Sequence, residues 1–198
     1  MASARNAIPK KVREEVLRVF RHRCAICGGE RPQIHHIDED PANNNQTNLI
    51  PLCPNCHILD QHDPTAKTDQ GKLKLFRQFR DPAILKPQFH PLFIRLKFLD
   101  EIEDNTDITE LQKRSQELID FVVNLEMGKF YSERISELIK KPRYASITAI
   151  GNPASEARDR ERRIKEAKEY RQILRSNRDA VLALVVELLR FQQWQTTE

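Results

Sequence analysis

The sequence predicts an α+β protein in which a small zinc-stabilised domain, residues 1–66, precedes a mainly α-helical domain, residues 67–198. Two observations carry this prediction. All four cysteines and five of the six histidines lie in the first third of the chain, whereas apolar residues recur at helical spacing through most of the rest. With 198 residues, of which 39% are hydrophobic and 31% charged, the chain can bury a core without disulfides. A secreted disulfide-rich mini-protein is therefore excluded.

The first domain is expected to contain a helix, a β-hairpin and a second, short helix. Residues 9–20 begin with proline and carry apolar side chains at helical spacing. Residues 33–37 and 49–52 are short and apolar-rich, and the asparagine-rich residues 40–46 between them predict a hairpin with a long loop. Residues 54–61 have the length and composition of a short helix.

The second domain is expected to be helical after a polar linker, residues 63–71. A capping-box pattern at residues 107–110 introduces an apolar stripe that reaches residue 125. Prolines and a glycine in residues 141–155 predict a break before a final helical region, residues 156–194. Within that region, the apolar residues 180–191 are expected to pack against residues 118–125 and 93–99, or against another subunit.

The four cysteines form two Cys-x-x-Cys pairs, Cys24/Cys27 and Cys53/Cys56, separated by 25 residues. This spacing is typical of a four-thiolate tetrahedral zinc site, because each short gap turns two sulfurs toward one ion. Disulfides are the alternative, but they are rare in reducing compartments. We expect a structural Zn²⁺ that contributes roughly 10–16 kcal/mol of apparent binding energy to the folding of this small domain.

Between and after the cysteine pairs lie His35, His36, Asn48 and His57. In this order, with the paired cysteines, residues 9–62 resemble the HNH endonuclease family. The resemblance implies a ββα-metal fold and metal-dependent hydrolysis of DNA phosphodiester bonds. It implies that His36 is the general base, that Asn48 fixes the loop and the His36 ring, and that His35 and His57 bind a divalent ion, Mg²⁺ or Mn²⁺. The architecture is similar to that of bacterial restriction and anti-phage effectors.

Elementary strand geometry supports a division of labour between the two adjacent histidines, because neighbouring strand residues point to opposite faces. The third ligand of the catalytic ion is left open. Many family members carry a histidine four residues after the one that opens the helix, whereas this chain has Gln61, flanked by Asp60 and His62. Water could also fill that position. Asp38 to Asp40 could hold a second ion or form a solvated loop, and the asparagines at 43–45 suit turn chemistry.

Charge placement predicts a nucleic-acid partner. Residues 1–23 carry seven basic and two acidic side chains, which would contact backbone phosphates with little sequence specificity, unless they form an ordinary charged helix face. DNA is expected from the family resemblance, and RNA is left open. Residues 156–178, with nine basic and five acidic side chains, predict a solvent-exposed helix with internal ion pairs, or a second DNA contact.

Localisation and assembly follow from the remaining patterns. The chain shows no signal peptide and no apolar run of the ~20 residues that a bilayer span needs, so we expect a cytoplasmic protein without membrane contact. The apolar C-terminal segment predicts a homodimer or a protein partner. The alternative function is that of a catalytically inactive zinc module that binds DNA or serves as an adaptor.

Overall fold

The computed structural model describes residues 7–61, 67–142 and 153–192. These residues are mostly helical, with one two-stranded sheet and a cluster of four cysteines. The chain divides into two compact units, Met1–Lys86 and Pro87–Glu198. Among the described residues, no helix combines the length and the apolar composition needed to cross a membrane.

The division falls after Lys86 and not after residue 66, because helix α2, Gln70–Phe79, belongs to the first unit. Arg77 of this helix donates from its guanidinium to the carbonyl oxygens of Leu49 and Gln46, at 3.0 and 3.3 Å. The predicted linker lies partly outside the described residues. Its last two residues, 70 and 71, form the first turn of α2, whose start is capped by the carboxylate of Asp69.

The first unit contains the predicted hairpin. Helix α1, Lys10–Val19, follows Pro9 directly and buries Val16. Strands β1, Gln33–His36, and β2, Leu49–Leu52, pair antiparallel, with His36 opposite Leu49. Leu49, Ile50 and Leu52 are fully buried, so β2 is the apolar centre of this unit and fixes its register.

A π-helix, Asn55–Gln61, follows β2 where the sequence predicts a short helix. The predicted short helix is thus present, and its wider π-helical turns are of a kind that occurs frequently at functional sites in proteins. With β1 and β2 it gives the order strand, loop, strand, helix.

The second unit is a helical assembly. It comprises α3, His90–Leu96; α4, Ile108–Val123; α5, Gly128–Leu138; and α6, Pro153–Phe191, with short 3₁₀ turns between them. Its core is filled by apolar side chains from all four helices, together with a buried hydrogen bond of 3.0 Å between the hydroxyls of Ser115 and Tyr170.

Helix α4 begins where the capping pattern predicts. The Asp107 carboxylate accepts from the backbone N–H of Thr109 at 3.1 Å, whereas Glu110 accepts from the Arg114 guanidinium. Part of the predicted break, residues 143–152, lies outside the described residues, as does the end of the predicted final helix at Trp194.

The sequence analysis did not identify helix α5. It predicted that the apolar part of α6 packs against residues 93–99 and 118–125, or against another subunit. The structure packs α6 mainly against α5, and also against α4 and residues 97–99. A Cβ at Gly128 would lie 2.1 Å from the Val122 carbonyl oxygen, so the tight turn between α4 and α5 admits only glycine at this position.

Candidate metal centre and histidine cleft

The first cysteine pair lies in a tight turn. The Cys24 N–H donates to the Gly29 carbonyl at 2.8 Å, and the Gly28 N–H donates to the Cys24 carbonyl at 3.0 Å. Gly28 has φ +72°, a left-handed conformation that glycine adopts without steric cost. Gly29 donates its N–H to Cys27 Sγ at 3.4 Å. The turn therefore presents both sulfurs of the pair on one side.

The second pair joins β2 to the π-helix. Cys53 follows the last residue of β2, and its carbonyl accepts the N–H of His57 at 2.8 Å. The four Sγ atoms lie within 4.8 Å of one another, and Cys27 Sγ lies 3.5 Å from Cys53 Sγ. Four thiolates at about 2.3 Å from one tetrahedral Zn²⁺ are separated by about 3.8 Å. The four cysteines therefore fit a structural metal ion such as zinc.

The surroundings of the thiols separate their acidities. The Cys56 N–H hydrogen bond, acting against burial, lowers the pKa of Cys53 to about 7. Burial and the adjacent thiols raise the pKa of Cys56. The Gly29 N–H lowers the pKa of Cys27, but burial and the neighbouring thiols outweigh it and raise the value overall. One thiol thus ionises readily, and a cation is needed before all four can be thiolates together.

The three histidines of the predicted catalytic site come together beside this cluster. His35 is buried, with 5% of its surface exposed, and its ring meets the ring of His57 edge to face, with centroids 5.2 Å apart and planes at 73°. His57 Nδ1 lies 3.1 Å from Gln33 Oε1. Because an amide oxygen only accepts, the neutral His57 ring carries its proton on Nδ1 and its lone pair on Nε2. Metal-binding histidines are commonly oriented in this way.

His36 lies in a cleft of about 490 Å³ whose walls also include His57, Gln33 and Arg13. The cleft thus combines the predicted general base with one predicted metal-binding histidine and a cation from α1. Neighbouring strand residues differ in burial as expected, since His35 is buried and His36 is only half-buried. Of the basic residues predicted to bind phosphate, Arg13 is the one placed in the cleft, and Arg5 lies outside the described residues.

Asn48 is buried, with 7% of its surface exposed, and it organises the loop between the strands. Its side-chain N–H donates to Asp38 Oδ1 at 2.7 Å and to the Asn43 carbonyl at 3.0 Å, and its Oδ1 accepts from the Asp38 N–H at 3.1 Å. The His36 ring is held by a different asparagine, because His36 Nε2 lies 3.1 Å from Asn44 Oδ1. Asn48 therefore fixes the loop, and Asn44 orients the ring.

The Asp38 carboxylate is the acceptor around which this loop closes. Burial raises its pKa, but hydrogen bonds from Asn48, from the Asp40 N–H and from Asn43, with the nearby His36 ring, outweigh burial and hold the pKa below its ordinary value. Asp38 is thus a structural anion of the loop. For residues 38–40 the sequence analysis considered a solvated loop or a second ion site. Glu39 and Asp40 are exposed, as in a solvated loop, whereas Asp38 is half-buried and hydrogen-bonded within the loop.

Of the three residues considered as a third ligand of the catalytic ion, only Gln61 has a described side chain. His62 and the side chain of Asp60 lie outside the described residues. Gln61 is 2% exposed, and neither atom of its amide has a hydrogen-bond partner in the described part of the chain. Among the described residues, the four cysteines are the one group of three or more ligand side chains placed closely enough to hold an ion.

Sequence reasoning missed Asn44, Asp38 and Gln33 as parts of this site. Asn44 stands in an asparagine run that turn chemistry already explained, and Asp38 in an acidic run typical of solvated loops. Gln33 is three residues from His36 along an extended strand, and nothing in its spacing indicates a contact with His57. The sequence signal for all three was the density of short amide and carboxylate side chains beside the histidines.

Comparison with family models, with curated proteins and with solved structures finds no match to this chain. The four-cysteine cluster and the histidine cleft therefore rest on the geometry described above.

Proposed function

We propose that this chain is a metal-dependent endonuclease of the HNH type that hydrolyses DNA phosphodiester bonds with low sequence specificity. The observation that carries the proposal is the shared cleft of His36, His57 and Arg13, with the His35 ring against His57. A base, one imidazole ligand and a cation in one cleft, with a second imidazole packed against that ligand, form a set suited to phosphodiester hydrolysis.

In this proposal, His36 accepts a proton from the attacking water. Asn44 Oδ1 accepts the Nε2 proton of the neutral ring, so the lone pair lies on Nδ1. His35 and His57 bind the divalent ion, Mg²⁺ or Mn²⁺, which when bound would stabilise negative charge on the phosphate and on the departing 3′-oxygen. Gln33 fixes the proton of His57 on Nδ1, and Arg13 binds an oxygen of the same or a flanking phosphate.

Zn²⁺ at Cys24, Cys27, Cys53 and Cys56 has a structural role in this proposal, because four thiolates complete a tetrahedral shell and leave no position for substrate. It would join the turn at residues 24–29 to the end of β2. The fold of the histidine cleft would then depend on this ion, although the ion takes no part in the reaction.

The wider context is also a proposal. A weakly specific nuclease is compatible with a cytoplasmic bacterial restriction or anti-phage role, in which the helical unit docks a protein partner or forms a homodimer. A dimer would supply two single-strand-cutting sites to opposite strands. The second candidate function is an inactive zinc module that binds DNA or acts as an adaptor, and the cysteine cluster by itself would satisfy that function.

The test is plasmid cleavage by the zinc-loaded protein with Mg²⁺, with Mn²⁺ and without either ion, beside the variant His36→Ala. We expect nicking or linearisation that requires the divalent ion, and a loss of about 100-fold or more in the variant, which is the usual contribution of a general base.

His90→Ala is the matched control, because His90 is an exposed histidine of the second unit. Zinc content and circular dichroism should be equal in all three proteins. Cleavage that persists in folded His36→Ala would contradict the assignment of the base. A wild type that binds DNA but cuts under no ion would favour the inactive zinc module.

A further inference from the structure

A second cavity of the first unit lies between α2 and the loop that connects the strands. Its volume is about 710 Å³, larger than that of the histidine cleft. Lys74, Arg77 and Arg80 of α2 and its C-cap line one side, and Asp38, Asn43 and Asn48 belong to the loop side. Three cations thus share a concave surface with one carboxylate and several amides, a composition that suits an anionic ligand.

In the described part of the chain, the one carboxylate forms no ion pair with these cations. Asp38 Oδ1 accepts from Asn48 and from the Asp40 N–H, and Oδ2 accepts from Asn43 at 2.6 Å. Lys74 and Arg80 are exposed, and in the described part of the chain neither forms an ion pair or a side-chain hydrogen bond. Both cations can therefore contact a ligand without breaking an existing bond.

Arg77 has a different part in the cavity. Its guanidinium is committed to the Leu49 and Gln46 carbonyls and lies over the Phe20 ring, 5.3 Å from the centroid. Burial and, to a lesser extent, the nearby charge of Arg80 lower the pKa of the Arg77 guanidinium. Arg77 therefore holds α2 against the loop, whereas the charged groups of Lys74 and Arg80 are exposed at the cavity.

We propose that this cavity binds a backbone phosphate of nucleic acid through Lys74 and Arg80, as a contact separate from the histidine cleft. The choice of ligand rests on the proposed nuclease function, whereas the cavity and its unpaired cations do not. The loop between the strands, residues 37–48, is rich in asparagine and is called the asparagine loop here. Side-chain amides such as those of this loop are common additional donors to phosphate oxygens.

The loop connects the two sites. Asn43 lines the α2 cavity, and the next residue, Asn44, holds the His36 ring in the cleft. A strand bound at both places would pass over the asparagine loop, with one phosphate at α2 and another at the histidines. Such a contact would add affinity without reading bases, in agreement with weak sequence specificity.

The experiment measures binding of a fluorescent 20-base-pair duplex by anisotropy, with zinc-loaded full-length protein and no added Mg²⁺ or Mn²⁺, across a salt series. For the double variant Lys74→Gln/Arg80→Gln, we expect about tenfold weaker binding at moderate salt. The slope of log affinity against log salt should become shallower by about 0.9, the value for one lost phosphate contact. The matched control, Lys113→Gln/Lys140→Gln, removes two exposed lysines of the second unit and should bind like the wild type.

Arg80→Gly keeps the test independent of folding. Arg80 has φ +55°, a conformation that favours glycine, so this variant should be at least as stable as the wild type and yet bind more weakly. Unchanged affinity and salt slope in the double variant and in Arg80→Gly would overturn the proposal, as would a wild type that does not bind DNA. If the variants bind DNA more weakly but the wild type cleaves none, the α2 site is supported and the nuclease proposal is refuted. If the wild type cleaves DNA and the variants bind it as tightly, the nuclease proposal is supported and the α2 site is refuted.

Discussion

At the residue scale, the informative contacts are those that orient the histidine rings. His36 meets Asn44, and His57 meets Gln33, each through one ring nitrogen and one amide oxygen at 3.1 Å. An amide oxygen accepts only, so each contact selects one tautomer of the neutral ring. The other ring nitrogen then carries the lone pair, and a lone pair is what accepts a proton or binds a metal ion.

Replacing Asn44 tests this role. Asn44→Ala should lower the rate of DNA cleavage roughly 10-fold or more, since partners that orient functional histidines typically contribute 10–100-fold. DNA affinity should not change, because the substitution frees the His36 ring to rotate but leaves the residues proposed to bind phosphate in place. Single-turnover kinetics and anisotropy measure the two quantities separately.

The control is Asn45→Ser. The serine hydroxyl can accept from the Thr47 N–H as the Asn45 side chain does, so the rate of DNA cleavage should not change. An Asn44→Ala protein that cuts at the wild-type rate would show that the ring needs no such partner.

At the element scale, the loop between β1 and β2 closes around a carboxylate. Asp38 is bonded by Asn43, Asn48 and the Asp40 N–H, and this network places Asn44 beside His36. Strand β2 and helix α2 support the loop from the other side, because Arg77 joins them through the Gln46 and Leu49 carbonyls. The loop is therefore long but ordered.

The lowered pKa of Asp38 gives this element a pH dependence. Its contribution to stability is complete above the ordinary aspartate pKa near 4 and is lost as the pH falls below it, because protonation removes the hydrogen-bonded anion. Asp38→Asn should be about 1–3 kcal/mol less stable at pH 6. The substitution replaces one carboxylate oxygen by an NH₂ group, which cannot accept the hydrogen bond that this oxygen now accepts. The difference should narrow toward pH 3.

Urea unfolding at several pH values measures this difference. Glu30→Gln serves as the control, because Glu30 is an exposed carboxylate of the same unit and is 76% accessible. A gap between Asp38→Asn and the wild type that stays constant with pH would show that Asp38 titrates alike in the folded and unfolded chains.

At the scale of the whole molecule, the chain is two compact units with different sources of stability. The first unit has a two-stranded sheet, short helices and the four-cysteine cluster, and a two-stranded sheet is marginal by itself. The second unit buries apolar side chains along α4, α5 and α6 and contains no cysteine. Metal should therefore stabilise one unit and not the other.

Removing the metal should separate the two units experimentally. The purified protein should contain about one zinc ion per chain, and a strong chelator, or Cys53→Ser, should unfold the first unit, because zinc supplies roughly 10–16 kcal/mol in comparable small domains. The helices of the second unit should remain. Metal analysis, circular dichroism and limited proteolysis followed by mass spectrometry measure these effects.

Proteolysis should then concentrate within residues 10–61, while 108–138 stay protected. Cys53→Ser without chelator should give the same proteolysis pattern as the chelated wild type. This agreement would exclude a direct effect of the chelator on the helices. Equal protection of both units after complete zinc removal would contradict a structural role for the ion.

The sequence by itself determined the local features of this protein. The hairpin, the capped start of α4 and the two cysteine pairs follow from spacing and composition, because alternation, capping and short Cys-x-x-Cys gaps act between residues close in the chain. The meeting of four sulfurs within 4.8 Å was also predictable, since each pair is local and the hairpin joins the pairs.

Only the tertiary structure decided which side chains meet across the loop and which elements pack together. The His36 ring is hydrogen-bonded to Asn44, whereas the Asn48 side chain bonds to Asp38 and Asn43; α2 joins the first unit, and α6 packs mainly on α5. These outcomes depend on contacts between residues distant in sequence, such as Arg77 with Leu49, whose energies no periodicity or spacing encodes. Interactions between residues close in the chain therefore set the elements and the cysteine pairs, and long-range packing set the geometry of the cleft and of the α2 cavity.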